Sequence, residues 1–292
     1  MAIRAYYAKL NNMGDLLNEY IIPKVTGKEV VHCPNVQKFD VMGIGSCCES
    51  IWMGSRDQNL KRAAKDVLKG IACALTSEPC AVWGTGFMRD YSARNMKLIR
   101  KNVSFIAVRG QLSKKTIEHS LGHEIQPVLC DGGILTSVLF DQPIEKKYAV
   151  GFVPHFREHD LCRSNGLWSY FENELPDAKV INLRDDPLSV MREIAECETI
   201  VSSSLHGCIV ADSFHVPNVR IRISDIPGTG FKFDDYYSAF GLSVPACIVS
   251  SASDVPDMNE IVKKYRISPD AVEQKKTEMA ECLKNYIDQH GL

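Results

Sequence analysis

Apolar and polar positions along the chain fall into short β-rich runs, each broken by a turn of small residues and followed by helical spacing. That alternation builds a parallel sheet covered by helices, so the fold class expected is α/β. Phe39-Asp40-Val41-Met42 runs into Gly43-Ile44-Gly45-Ser46, and Ala81-Val82-Trp83 into Gly84-Thr85-Gly86. Val103 to Val108 runs into Arg109-Gly110, with a helix predicted from about Ser113 to Ser120. The polar, proline-bearing stretch Asp141 to Lys147 reads as a linker, after which a second series begins. Here Tyr148 to Val153 is predicted as a strand ending at Pro154-His155, Lys179 to Leu183 as a strand and Pro187 to Cys197 as a helix. Thr199 to Ser202 is a strand that breaks into Ser203-Ser204-Leu205-His206-Gly207. The tail, about Pro256 to Gln289, has helical spacing interrupted near Pro269. The expected organisation is one domain over residues 1–145 and another over 146–292, with the C-terminal helix packing back on the first. The small-residue turns would share one edge, at the carboxyl ends of the strands, where open α/β sheets bind ligands.

Composition narrows the function classes. The 292 residues are 45% hydrophobic and 24% charged, values of an ordinary globular protein and long enough for two cores. A net charge of −2 supplies no global field for a nucleic-acid backbone, so nucleic acid is not expected as a partner. Eleven cysteines, an odd number without a C-x-x-C pair, are scattered through apolar runs such as Ile71-Ala72-Cys73-Ala74-Leu75. That usage points to buried thiols in a reducing, cytoplasmic compartment. The N-terminus lacks a signal-peptide pattern and no apolar stretch reaches the roughly 20 residues of a membrane span, which leaves peripheral membrane contact.

Candidate chemistry collects at the turns. His206 falls in the first turn of a helix that follows a β-branched strand, and any of Ser202, Ser203 and Ser204 can cap that helix. The positive end of a helix dipole disfavours an imidazolium, so His206 should be neutral and able to exchange a proton beside a phosphate. The alternative is a capping histidine that packs locally, a poor use of a histidine at the ligand edge. Lys232, flanked by Phe231 and Phe233 on a loop after Gly228-Thr229-Gly230, suits a carboxylate or phosphate, or is a surface lysine beside a half-buried aromatic pair. Arg109, at the end of a buried strand, either grips an anion bidentately or pairs with a core carboxylate such as Asp131. Asn11-Asn12-Met13-Gly14-Asp15-Leu16-Leu17-Asn18 is a polar turn entering a helix, where capping by Asn12 or Asp15 and ligand contact fit equally well. The Gly-x-Gly turns at Gly43 and Gly84 lack the third glycine and downstream acid of a dinucleotide fingerprint. His155-Phe156-Arg157-Glu158-His159 matches an H-x-x-E-H zinc motif, but Pro154 and a strand immediately before it keep both histidines from sharing a helix face, so no metal is expected. His119 and His123 are separated by Gly122, a helix-ending signal.

Taken in order, Gly14-Asp15-Leu16-Leu17-Asn18, Val82-Trp83-Gly84-Thr85-Gly86-Phe87, Ala107-Val108-Arg109-Gly110, Val153-Pro154-His155, Ser203-Ser204-Leu205-His206-Gly207 and Lys232-Phe233-Asp234-Asp235-Tyr236-Tyr237 resemble the polysaccharide pyruvyl transferase family over most of the chain. The resemblance implies two Rossmann-like lobes with parallel sheets, similar to GT-B glycosyltransferases, and an active site in the cleft between them. It implies transfer of a pyruvyl group from phosphoenolpyruvate to a sugar of a polysaccharide or its lipid-linked precursor, as a cyclic ketal, with no cofactor beyond that co-substrate. A lipid-linked acceptor would bring the enzyme to the inner face of the plasma membrane. The first domain would serve the acceptor and the second the donor. His206 becomes the catalytic residue, with Arg109, Lys232, Ser203, Ser204, Leu205 and Gly207 around the donor. Gly14, Asp15, Asn18, Gly84, Thr85 and His155 then line the acceptor side of the cleft. One departure stands out: some members carry arginine directly before the Leu-His pair, where this chain has Ser204, so the phosphate pocket has one cation fewer. A GT-B glycosyltransferase using a nucleotide sugar, a non-catalytic sugar-binding scaffold and a zinc peptidase are the competing readings.

Overall fold

The structure, a computed structural model, describes residues 2–54, 68, 70–73, 75, 78–226, 228 and 230–292. Ala74 and Thr229, which belong to an apolar run and a glycine turn singled out in the sequence, lie outside the described residues.

Two five-stranded sheets form among the described residues, and every pairing within them is parallel. The first joins β1 (Ile3–Tyr6), β2 (Val30–His32), β3 (Val41–Met42), β5 (Cys80–Val82) and β7 (Val103–Phe105) in the order β2-β1-β3-β5-β7. A short antiparallel pair, β4 (Trp52–Met53) and β6 (Lys97–Leu98), stands apart from it. The expected strand from Val103 to Val108 is broken at Ile106: its second half, β8 (Ala107–Val108), pairs with β9 (Val128–Leu129). Single bridges from Gly45 to Thr85 and from Thr85 to Val108 carry the sheet direction across this break. The second sheet joins β10 (Tyr148–Val153), β11 (Ala178–Val180), β12 (Cys197–Ser202), β13 (Asn218–Arg222) and β14 (Cys247–Ile248) in the order β11-β10-β12-β13-β14. Strands covered on both faces must be apolar without alternation. Thr199 to Ser202 and Cys80 to Val82 are accordingly buried at every position.

Helices supply the crossovers: α1 (Met13–Thr26), α2 (Gln111–Leu121), α3 (His159–Ser164), α4 (Pro187–Ala195), α5 (Leu205–Ser213), α6 (Phe231–Ser238), α7 (Met258–Lys264) and α8 (Pro269–His290). Asn12 caps α1 through its side chain, and Gly27 ends it in the left-handed region. The largest core cluster runs across both halves of the chain. Leu17 and Ile21 of α1, Ile44, Trp83, and Ile134 of the 3-10 segment Gly132–Leu139 meet Ile209 and Val210 of α5 and Met279 and Leu283 of α8. Two smaller clusters lie one in each half. The α8 helix lies against the first sheet, where the Trp83 indole donates to the Met279 carbonyl at 3.0 Å. Gly84 has φ +67°, and a Cβ there would stand 2.5 Å from the backbone nitrogen of Gly132, so only glycine fits.

All eleven cysteines are free thiols, eight of them buried, which is the packing role their spacing suggested. No helix among the described residues is long and apolar enough to cross a membrane.

Candidate functional site

In each sheet the strand order reverses beside its first strand, between β1 and β3 and between β10 and β12. Chains leaving the carboxyl ends at such a switch point diverge and open a crevice. Here both crevices open into one cavity of about 360 Å³. Ala8, Leu10, Asn12 and Asp15 follow β1, and Ser46 follows β3. His155, Phe156 and Arg157 follow β10, Ser204, Leu205 and His206 follow β12, and Lys232 lies beyond β13. Met88 and Arg89, on the turn after β5, close one wall.

His206 is the second residue of α5, as the sequence suggests, with its side chain only 16% exposed. Burial, assisted by Lys232, Arg109 and His155, pushes its imidazole down to about 3, so it is neutral. The helix dipole acts in the same direction, but desolvation is the larger cause here. Nε2 is buried without a hydrogen-bond partner, 4.0 Å from an Asp131 carboxylate oxygen. The other side of the ring lies on the start of α1: a Cβ on Gly14 would come 2.1 Å from Nδ1. Gly14 therefore seats the histidine.

Lys232 does not lie on a loop. It sits in the first turn of α6, a helix whose Tyr236 hydroxyl and Asp235 carboxylate are anchored by other parts of the chain. Burial, then the nearby Arg109 charge, pushes the Lys232 amine down to about 8, while Asp15 opposes that shift. Asp15 in turn is pushed up to about 6 by burial, against the Asn12 amide that donates to it and the Lys232 charge. His155 is pushed down to about 3, mainly by burial and then by Lys232 and Arg157. Its ring stacks on Phe156 at 4.6 Å, and its Nδ1 accepts from the Arg157 backbone N–H at 3.3 Å. Because α3 begins only at His159, the two histidines of the H-x-x-E-H string do not share a helix face. Glu158 is fully occupied by the Ser203 and Ser224 hydroxyls at 2.5 and 2.6 Å.

Several sequence candidates stand behind the cavity wall. Arg109 is fully buried; its Nε meets Asp235 at 3.0 Å, one terminal nitrogen donates to the Ser46 hydroxyl at 2.8 Å, and the other to the Phe87 carbonyl. The pairing carboxylate is Asp235, not Asp131, and the only lining residue Arg109 touches through these bonds is Ser46. Ser203 is turned inward to Glu158 and accepts from the His155 N–H at 2.9 Å. Ser204 lines the cavity at the N-cap position of α5 but makes no side-chain cap, while Ser202 bonds the Val153 and Ser204 carbonyls and accepts from the Ser204 N–H. Gly207 is small for packing: a Cβ would stand 2.4 Å from the Ser202 hydroxyl and 2.9 Å from Val153. Asn18 bridges the Ile44 N–H and carbonyl, and Thr85 donates to the Gly45 carbonyl at 2.8 Å. Both brace the turn after β3.

The sequence reading missed Arg89 and Arg157. Both are exposed loop arginines with no periodic signal, yet each follows soon after the carboxyl end of a strand, which is the feature that could have found them. With Lys232 they are the lining cations among the described residues, against the single acid Asp15. The cavity is thus arranged for an anion beside a neutral histidine.

A family model described as polysaccharide pyruvyl transferase matches residues 5–225, a span holding β1 through the loop after β13. An uncharacterized protein of Acanthamoeba polyphaga mimivirus is 26% identical over 244 residues, covering 81% of this chain and 74% of that protein. Succinoglycan biosynthesis protein ExoV of Rhizobium meliloti is 32% identical over 102 residues, 35% of this chain and 30% of its own length. The matched span takes in three-quarters of the chain and every cavity-lining segment except Ile226 and α6, so this chain belongs to the polysaccharide pyruvyl transferase family.

Proposed function

We propose that the cavity binds phosphoenolpyruvate and a sugar carrying two neighbouring hydroxyls, and forms a cyclic pyruvate ketal with release of phosphate. The observation that carries this reading is three cations and two neutral histidines, His155 and His206, around a single cavity at the meeting of two sheet edges. A trianionic donor is held by Lys232, Arg157 and Arg89, the two arginines making up for the serine at position 204. Arg109 acts through Ser46, whose hydroxyl it fixes toward the cavity. The reaction balances within its own groups: one sugar hydroxyl adds to C2, a proton arrives at C3 to make the methyl group, phosphate leaves, and the second hydroxyl closes the ring. Of the two hydroxyl protons, one is balanced at C3 and the other on phosphate. His206, uncharged at neutral pH, takes a proton from an attacking hydroxyl and returns it as the phosphate departs. The acceptor is a sugar of a polysaccharide or of its lipid-linked precursor; a lipid-linked acceptor would bring the enzyme to the cytoplasmic face of a membrane.

Calorimetric titration with phosphoenolpyruvate and, separately, uridine diphosphate tests the donor. Phosphoenolpyruvate should bind the wild-type protein and lose at least tenfold in affinity in Lys232→Ala. Preference for uridine diphosphate would instead favour transfer from a nucleotide sugar.

A further inference from the structure

We infer that Asp131 is a positioning residue for His206, holding the Nε2–H tautomer so that Nδ1 is the nitrogen offered to the substrate. Asp131 follows β9 and is the N-cap of the 3-10 segment Gly132–Leu139. One of its oxygens accepts the Gly133 N–H at 2.9 Å. That capping duty needs one oxygen and no charge, and asparagine or serine would perform it as well. The second oxygen is buried and has no partner, although the residue is fully enclosed. Nε2 of His206 is likewise buried and partnerless, and it lies 4.0 Å from the oxygen that accepts the Gly133 N–H, an atom with a second lone pair to offer. A buried imidazole nitrogen left without a partner beside a buried carboxylate is costly unless a hydrogen bond forms between them at some stage. A ring shift of about 1 Å closes the gap to hydrogen-bond length, and such contacts commonly tighten only when substrate is bound.

The direction of the dyad follows from burial. Since Nε2 is shut away from the cavity, the ring can offer a nitrogen to a ligand only through Nδ1. A base at Nδ1 must have its proton on Nε2, and a carboxylate opposite Nε2 selects that tautomer. Burial pushes the Asp131 carboxyl up to about 7, opposed by Arg109 and the Gly133 N–H, so the ionised form that accepts this proton prevails above neutrality. Alanine at 131 would remove the acceptor opposite Nε2. Nothing would then hold the proton on Nε2, and the ring would carry it in part or wholly on Nδ1, the wrong side for a base.

This inference rests on His206 being the proton-transfer group, but its first test does not require turnover. Nitrogen NMR of ¹⁵N-histidine-labelled protein at pH 8, with His206 assigned by comparison with His206→Asn, reads the tautomer directly. The wild type should hold its proton on Nε2, and Asp131→Ala should carry it in part or wholly on Nδ1. A wild-type His206 with its proton on Nδ1 overturns the proposal even if the variant fails to fold, and so does a tautomer unchanged in a folded Asp131→Ala. The second arm measures phosphate release from phosphoenolpyruvate with a panel of methyl hexopyranosides. Asp131→Ala should lose about a hundredfold or more in kcat while the donor KM moves less than about threefold. An equal loss in a folded Asp131→Ala through KM alone counts against a positioning role. Wild-type protein that neither binds phosphoenolpyruvate nor releases phosphate, but shows the expected tautomer switch, would refute the pyruvyl-transfer reading and leave the dyad standing.

Discussion

Replacing Gly14 by alanine separates the chemistry of the site from the stability of the fold. Gly14 is the second residue of α1, a position where alanine is the better helix former by about 1 kcal/mol. Its added Cβ, however, would stand 2.1 Å from Nδ1, 2.6 Å from Cγ and 2.9 Å from Cε1 of His206. Ordinary contact begins at 3.4 Å, so the overlap at Nδ1 is about 1.3 Å. The helix cannot retreat, because Met13, Leu17, Ile21 and Ile22 are all fully buried beneath it. The imidazole must therefore move, toward Asp131 or into the cavity. Overpacking costs about 1–3 kcal/mol, offset in part by the helix gain, so the net loss of stability is about 0–2 kcal/mol and the thermal midpoint falls by a few degrees at most. A displacement of this size at a proton-transfer group costs roughly a hundredfold in rate. The assay pairs phosphate release from phosphoenolpyruvate with thermal unfolding and with the His206 ring resonances. A Gly14→Ala protein that turns over at the wild-type rate with an unmoved ring would refute the reasoning, since the clash would then have been absorbed elsewhere.

Three further outcomes follow from the same geometry. Arg109→Met should cost about 3–5 kcal/mol in urea unfolding, because it strips a buried carboxylate of its cation, and a double-mutant cycle with Asp235→Asn should show that the two losses do not add. For His206 the folded imidazole titrates near 3 against 6.5 unfolded. Between those values the unfolded chain binds a proton that the folded chain refuses, so stability falls as pH drops from about 6.5 toward 3. In His206→Asn the drop in urea midpoint between pH 7 and pH 5 should be smaller than in the wild type; an equal drop would mean that the histidine is not held neutral. Arg157→Ala should weaken phosphoenolpyruvate binding about tenfold and lessen its salt dependence while leaving the urea midpoint within experimental scatter, as expected for an exposed cation that meets an anion only in the complex.

Much of the architecture was legible because it depends on local pattern. Strand Tyr148–Val153 and the helix starts at Pro187 and Leu205 match the expected elements, since each is marked by a β-branched run, a proline at the first turn or a polar cap. The octet Phe231–Ser238 was misread as loop because its aromatic and aspartate content carries little intrinsic helicity. Its helix is held by distant partners: Asp235 by Arg109 and Ser113, and the Tyr236 hydroxyl by Asp212 at 2.7 Å.

The sequence alone determined the α/β class, the two parallel series, the turn that carries His206 and the family. Those rest on residue type and spacing within a few turns of chain, where steric preference and hydrophobic period act directly. It could not decide which polar groups face the cavity. Arg109 looked like an anion clamp until a carboxylate 126 residues away took its guanidinium, and Gly14 looked like part of a cap until α5 brought an imidazole against it. Arg89 and Arg157 gained their place only when two sheet edges met. Burial, and with it the neutral state of His206 and the raised carboxyl of Asp131, is a property of neighbours supplied by the whole chain, and only the tertiary structure supplies them.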